Sequence, residues 1–225
     1  MNQELQLLSL TAASLGFMHT IMGPDHYLPF VVMSKSAGWS GIKTATITFL
    51  CGLGHVLSSV VLGFIGIAIG SAVAGMEAIE AIRGEFAAYA LITFGLIYMI
   101  WGIWRAGRKN QSHGHLHLGK KKMEYDVIDK KPNLTPWVLF TIFVLGPCEP
   151  LIPILMYPAA KSNLMGVFIV AGIFSIVTIA TMMTAVLVLR AGLVALPMRP
   201  LEKYMHAIAG AAILLCGVSI QFLGL

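Results

Sequence analysis

Apolar residues fill most of this chain in runs too long for the one-sided pattern of a soluble helix. Runs bounded by charged or turn residues fall near 5–33, 41–72, 86–106, 134–158, 164–190 and 203–223. A helix needs roughly 20 apolar residues to cross a bilayer, so the pattern predicts about six transmembrane helices and an all-α integral membrane fold. The first two runs exceed what a perpendicular span requires, which predicts tilt or a break. Gly23-Pro24 supplies the break in the first, and Pro147, Pro150 and Pro153 break the fourth, because proline has no backbone N–H and clashes with the preceding turn. The stretch 76–85 reads as a short interfacial helix beside the third span.

The two breaks are related. Gly23-Pro24-Asp25-His26 in the first run recurs as Gly146-Pro147-Cys148-Glu149 in the fourth, 123 residues later, and the same offset carries His55 onto Thr178 and Ser58 onto Thr181. The pattern predicts one transmembrane domain over 1–225: a three-helix repeat at 1–106, a histidine-containing cytoplasmic loop at 107–133, and a second repeat at 134–225 of inverted orientation. In inverted-repeat carriers the substrate site lies at the repeat interface, on broken helices near the midplane.

Composition narrows the class. With 57% hydrophobic and 11% charged residues, the chain lies outside the range of soluble globular domains. Thirteen of its fifteen Lys and Arg fall in the stretches 34–43, 105–133 and 190–203, whereas the opposite loops hold only Arg83 and Lys161. The positive-inside rule makes the first group cytoplasmic and puts both termini outside an inner-type cell membrane. The same clustering explains the net charge of +5 without nucleic acid as a partner. No basic region precedes the first apolar run, so it is expected to stay as a helix and not to act as a cleaved signal. Cys51, Cys148 and Cys216 all lie in apolar stretches, which does not indicate a secreted disulfide framework. Gly66 and Gly70 give a small-residue spacing that permits homo-oligomers.

Ionisable side chains sit where lipid should exclude them. His19, Asp25 and His26 lie within about two helical turns at mid-span, and each ionisable group at that depth costs roughly 2.5–3.5 kcal/mol on insertion scales. His55 sits at the centre of the second span behind Gly52 and Gly54. Imidazole and carboxylate together suit divalent nickel, cobalt, zinc or iron. The fourth span adds Cys148 and Glu149 at the repeat-related positions, as further ligands, an inert thiol, or in the case of Glu149 a proton relay. Thr178, Thr181 and Thr184 read as backbone-bonding threonines. His113, His115 and His117 alternate along the cytoplasmic loop as a metal-collecting tract.

Taken together, His19 to His26 and the Gly-Leu-Gly-His segment ending at His55 resemble the nickel/cobalt transporter family and its urease-accessory-type relatives. The signature there is a His-x4 or x5-Asp-His motif followed by a helix with a Gly-His pair. The Gly-Pro-Cys-Glu-Pro segment at 146–150, with Pro153, resembles the fourth helix of the transmembrane cytochrome c biogenesis and disulfide-reductase proteins, and that resemblance implies a shared fold over nearly the whole chain. In those thiol carriers, cysteines at both repeat-related positions exchange electrons through a reversible disulfide. Here Asp25 stands at the first of them. The x5 spacing and Cys148 widen the expected cargo toward softer metals.

These features point to a secondary transporter of a divalent transition-metal cation, with His19, Asp25, His26, His55, Cys148 and Glu149 as the candidate metal site. The metal is cargo, no permanent cofactor is expected, and no enzymatic reaction is implied. No ATP-binding P-loop is present, so a gradient or the membrane potential supplies the energy. The cytoplasmic histidine tract favours efflux. A thiol-disulfide electron carrier is the alternative. A sulfur-oxyanion exporter is weaker still, since no Lys or Arg is expected at mid-membrane to bind an anion.

Overall fold

A computed structural model describes residues 3–70, 73–109, 135–161, 163–195 and 199–223, and every regular element among them is helical. The chain runs through α1 (Gln3–Met22), a 3-10 turn (Pro24–His26), α2 (Leu28–Ser36), α3 (Gly41–Ala68), α4 (Val73–Lys109), α5 (Thr135–Leu145), α6 (Leu151–Ala160), α7 (Leu164–Ala195), a second 3-10 turn (Arg199–Tyr204) and α8 (Met205–Leu223). Five stretches are long and apolar enough to cross a membrane: Gln3–Met22, Gly41–Ala68, Gly75–Arg108, Leu164–Ala195 and Leu201–Leu223. The shorter apolar helices α5 and α6 meet at the second break. The protein is an all-α integral membrane protein.

Both Gly-Pro breaks fall where the prolines place them. The N–H of Gly23 closes α1 onto the carbonyl of His19 at 3.1 Å, Pro24 has no N–H to continue the ladder, and the 3-10 turn redirects the chain into α2. Residues Pro29 to Ser34 of α2 are all buried, as expected of a half-helix that is apolar all round and sits inside the bundle. It ends in a Schellman turn, with Trp39 N–H donating to Ser34 O at 2.8 Å and Gly38 at φ +63°. Ser40 then caps α3 by accepting the Lys43 N–H at 3.2 Å.

Element boundaries recur at a single offset. α1 ends at Met22 and α5 at Leu145, α2 starts at Leu28 and α6 at Leu151, and α3 starts at Gly41 and α7 at Leu164, each pair 123 residues apart. Packing follows the same pairing: α1 lies along α7 as α5 lies along α3, and α2 meets α8 as α6 meets α4. The central helices α4 and α8 share a glycine seam, in which a methyl group added at Gly95, Gly102, Gly210 or Gly217 would overlap the facing backbone.

One expectation is corrected. Residues 76–85 are not a separate interfacial helix but an early part of α4, which starts at Val73. Of their charged side chains, Glu80 is fully buried against Arg83, while Glu77 and Glu85 are exposed. The Gly66 notch is filled from within the chain by buried Met76, and Gly70 takes φ +67° in the turn after α3.

Candidate metal centre

Three imidazoles converge beside the first break. His19 comes from the last turn of α1, His26 from the 3-10 turn and His55 from the middle of α3. One ring nitrogen from each lies within 4.8 Å of the other two. Ring centroids stand 4.5 Å apart for His19 and His26, 5.1 Å for His26 and His55, and 6.1 Å for His19 and His55.

Hydrogen bonding fixes two of the tautomers. A carbonyl oxygen can only accept, so the His55 Nδ1–H donates to Phe143 O at 3.2 Å. By the same logic the His26 Nδ1–H donates to Gly23 O at 3.1 Å, with Asp25 Oδ1 at 3.2 Å from the same nitrogen. A neutral ring protonated at Nδ1 carries its lone pair on Nε2. Both Nε2 atoms are buried and have no hydrogen-bond partner among the described residues. A buried polar atom left in that state costs about 1–3 kcal/mol. Two of them, in side chains only 3% exposed and close to a third imidazole, form a donor set that could hold a Lewis acid. Gly23 is required by close approach, since a Cβ there would stand 2.5 Å from His26 Nδ1.

The other predicted residues take distinct places. The Asp25 carboxylate lies against His26 Nδ1, where it orients the ring, and it is not one of the three converging donors. Cys148 Sγ lies 3.8 Å from His19 Nε2, so the second break adjoins the first. Glu149 is exposed, on the wall of a cavity of about 480 Å³ that is also lined by His19, Asp25, His26, His55 and Glu85. The Thr184 hydroxyl bonds Ala180 O at 2.8 Å as expected, whereas Thr178 Oγ1 is buried without a partner among the described residues. His113, His115 and His117 lie outside the described residues.

Sequence reading missed Glu80 and Arg83. Glu80 Oε2 accepts the Cys148 N–H at 3.2 Å, and its Oε1 accepts from Arg83 Nη1 at 2.6 Å. Arg83 Nη2 donates to Ser58 Oγ at 2.7 Å, to Val144 O at 2.9 Å and to Gly146 O at 3.3 Å. The carbonyls that the Gly146-Pro147 break leaves without helical partners are thus taken up by a guanidinium. The available signal was the i, i+3 spacing of opposite charges in a stretch with no helix stop before the third span. Contrary to expectation, a cation does enter the bundle. Its contacts go to Glu80, Ser58, Ser59 and two carbonyls, which leaves an anionic cargo little to bind.

Residues 28–219 match the model of a family described as the cytochrome c biogenesis protein transmembrane region. No curated protein and no solved structure matches the chain. The matched region includes His55, Cys148 and Glu149 and begins just after His19, Asp25 and His26. The resemblance to nickel/cobalt transporters finds no support in these comparisons.

Proposed function

The chain belongs to the cytochrome c biogenesis protein transmembrane region family, and on that fold we propose that it is a secondary transporter of a divalent transition-metal cation. His19, His26 and His55 bind the cargo, and Asp25 orients His26. The observation that carries this reading is the pair of buried, unpartnered Nε2 atoms whose opposite ring nitrogens are held by a carbonyl or a carboxylate. Metal-binding histidines almost always show that arrangement. Three histidine donors leave room around the cation for a further donor or water. Glu85 and Glu149 flank its route along the cavity wall.

With both termini outside, a cation moving inward along the membrane potential gains roughly 2.3 kcal/mol per elementary charge per 100 mV. Calorimetric titration of the purified chain with Zn²⁺, Co²⁺ and Ni²⁺ tests the binding step. Saturable binding of at least one, lost in His55→Ala, supports the reading, and no binding of any of them contradicts it.

The family match favours a second reading more directly than it favours the first: a membrane thiol-disulfide electron carrier. Such exchange needs two sulfurs that meet. Cys51, Cys148 and Cys216 are all free and buried, and Asp25 occupies the position repeat-related to Cys148. Trapping with an alkylating reagent after incubation with a reduced thioredoxin-type protein separates the two readings.

A further inference from the structure

We infer that Cys148 is a fourth, thiolate donor to the cation, delivered from the second repeat and held in place by the Glu80–Arg83 pair. The inference rests on the metal reading above and specifies the class of cargo. Cys148 is completely buried at the second break, with Sγ 3.8 Å from His19 Nε2. Around one tetrahedral ion, bond lengths of 2.0–2.1 Å to nitrogen and 2.3 Å to sulfur put the two ligand atoms about 3.5 Å apart. The observed spacing to His19 is within a few tenths of an ångström of that value, while Sγ stands outside the group of ring nitrogens that lie within 4.8 Å of one another, so a bound ion draws the thiol toward His26 and His55.

Charge argues the same way. Three neutral imidazoles leave a divalent ion with its full charge inside a membrane protein, where an unpaired charge is strongly disfavoured. A thiolate removes one unit of it, and Asp25 behind His26 offsets part of the rest. On coordination an S–metal bond replaces the S–H bond, and the proton leaves to water in the cavity that His19 lines.

Glu80 and Arg83 are the positioning residues. Glu80 holds the Cys148 N–H, while Arg83 ties Glu80 to the carbonyls of Val144 and Gly146 and to Ser58 of α3. The thiol is thereby fixed to the helix that carries His55. A His₃-thiolate set selects thiophilic, borderline cations such as Zn²⁺ and Co²⁺ over the hard ions Mg²⁺ and Mn²⁺.

The test is Co²⁺ titration of the purified full chain in detergent, followed by absorption spectroscopy. Wild type is expected to show visible d–d bands together with a near-ultraviolet thiolate-to-cobalt charge-transfer band. Cys148→Ser should lose the charge-transfer band and keep the d–d bands. Glu80→Gln should weaken that band and lower cobalt affinity about tenfold. Visible cobalt bands in wild type with no charge-transfer band overturn the fourth ligand and leave the histidine site standing, a result that does not depend on any variant folding. Absence of all cobalt bands in wild type overturns the metal reading together with this inference.

Discussion

His55 on α3 donates its Nδ1–H to the carbonyl of Phe143 on α5, at 3.2 Å and 88 residues away in sequence. The bond joins the middle of the first repeat to the helix that breaks in the second. It also sets the tautomer that leaves Nε2 unprotonated, so a conformational change at the second break is felt directly at one donor of the proposed metal site.

Substitution can separate these two roles. In His55→Asn the side-chain amide keeps an N–H near the position of Nδ1 and has no counterpart to Nε2. The variant is expected to retain the wild-type thermal unfolding midpoint within a few degrees and to lose cation affinity by at least about 100-fold, more than the loss typical of an orienting residue. Thermal melts and calorimetry on the same sample measure both.

In the proposed site Asp25 acts through His26, whose Nδ1 it faces, so its removal should weaken the site without abolishing it. Asp25→Ala is expected to lower cation affinity by about 10–100-fold. Affinity as low as in His26→Ala would show instead that the carboxylate binds the ion itself.

Glu80 lies fully buried beside Arg83. Removing one partner of such a pair leaves the other uncompensated, typically at about 3–5 kcal/mol. Glu80→Ala should therefore lower the midpoint of unfolding in detergent, and Glu80→Leu combined with Arg83→Leu should recover part of the loss. Equal destabilisation by the single and double variants would argue that the pair contributes little.

Among the helical glycines, position decides the sign of a substitution. Gly210→Ala pushes a methyl group into the backbone of Met99 and Gly95 and is expected to destabilise, by at least the 1–3 kcal/mol typical of overpacking. Gly172→Ala, in α7 with nothing within 4 Å of the new Cβ, should stabilise by about 0.5–1 kcal/mol. Chemical denaturation in mixed micelles ranks the two.

Much of this molecule is legible in its sequence because proline and apolar length act locally. The breaks at Pro24 and Pro147 and the repeat of 123 residues follow from which residues can continue a helix in lipid. His19, His26 and His55 stand out because an imidazole amid apolar residues is rare enough to notice. Their partners do not stand out. Phe143 contributes a backbone carbonyl, which every residue has, so no side-chain pattern marks it. Glu80 and Arg83 looked like an interfacial stretch because charge alone reads as exposure. Only folding shows that each neutralises the other and that both bind the second break. Sequence likewise places Asp25 beside His26 but does not say which atom it faces.

Counting thiols addresses the competing electron-carrier reading. Cys51, Cys148 and Cys216 are free, and after mild oxidation of the purified protein all three are expected to take up maleimide on unfolding, as read by intact mass. Loss of two reactive thiols, restored by reductant, would favour disulfide exchange.

If this bundle carries a divalent transition metal through its histidine triad, cation flux into proteoliposomes reports it. With an inside-negative potential imposed and an indicator trapped in the lumen, wild-type vesicles are expected to show saturable entry of Zn²⁺, Co²⁺ or Ni²⁺ above protein-free vesicles, and His26→Ala vesicles are not. Flux no greater than that of protein-free vesicles for every cation, in either orientation of the potential, or equal flux through His26→Ala, would contradict it.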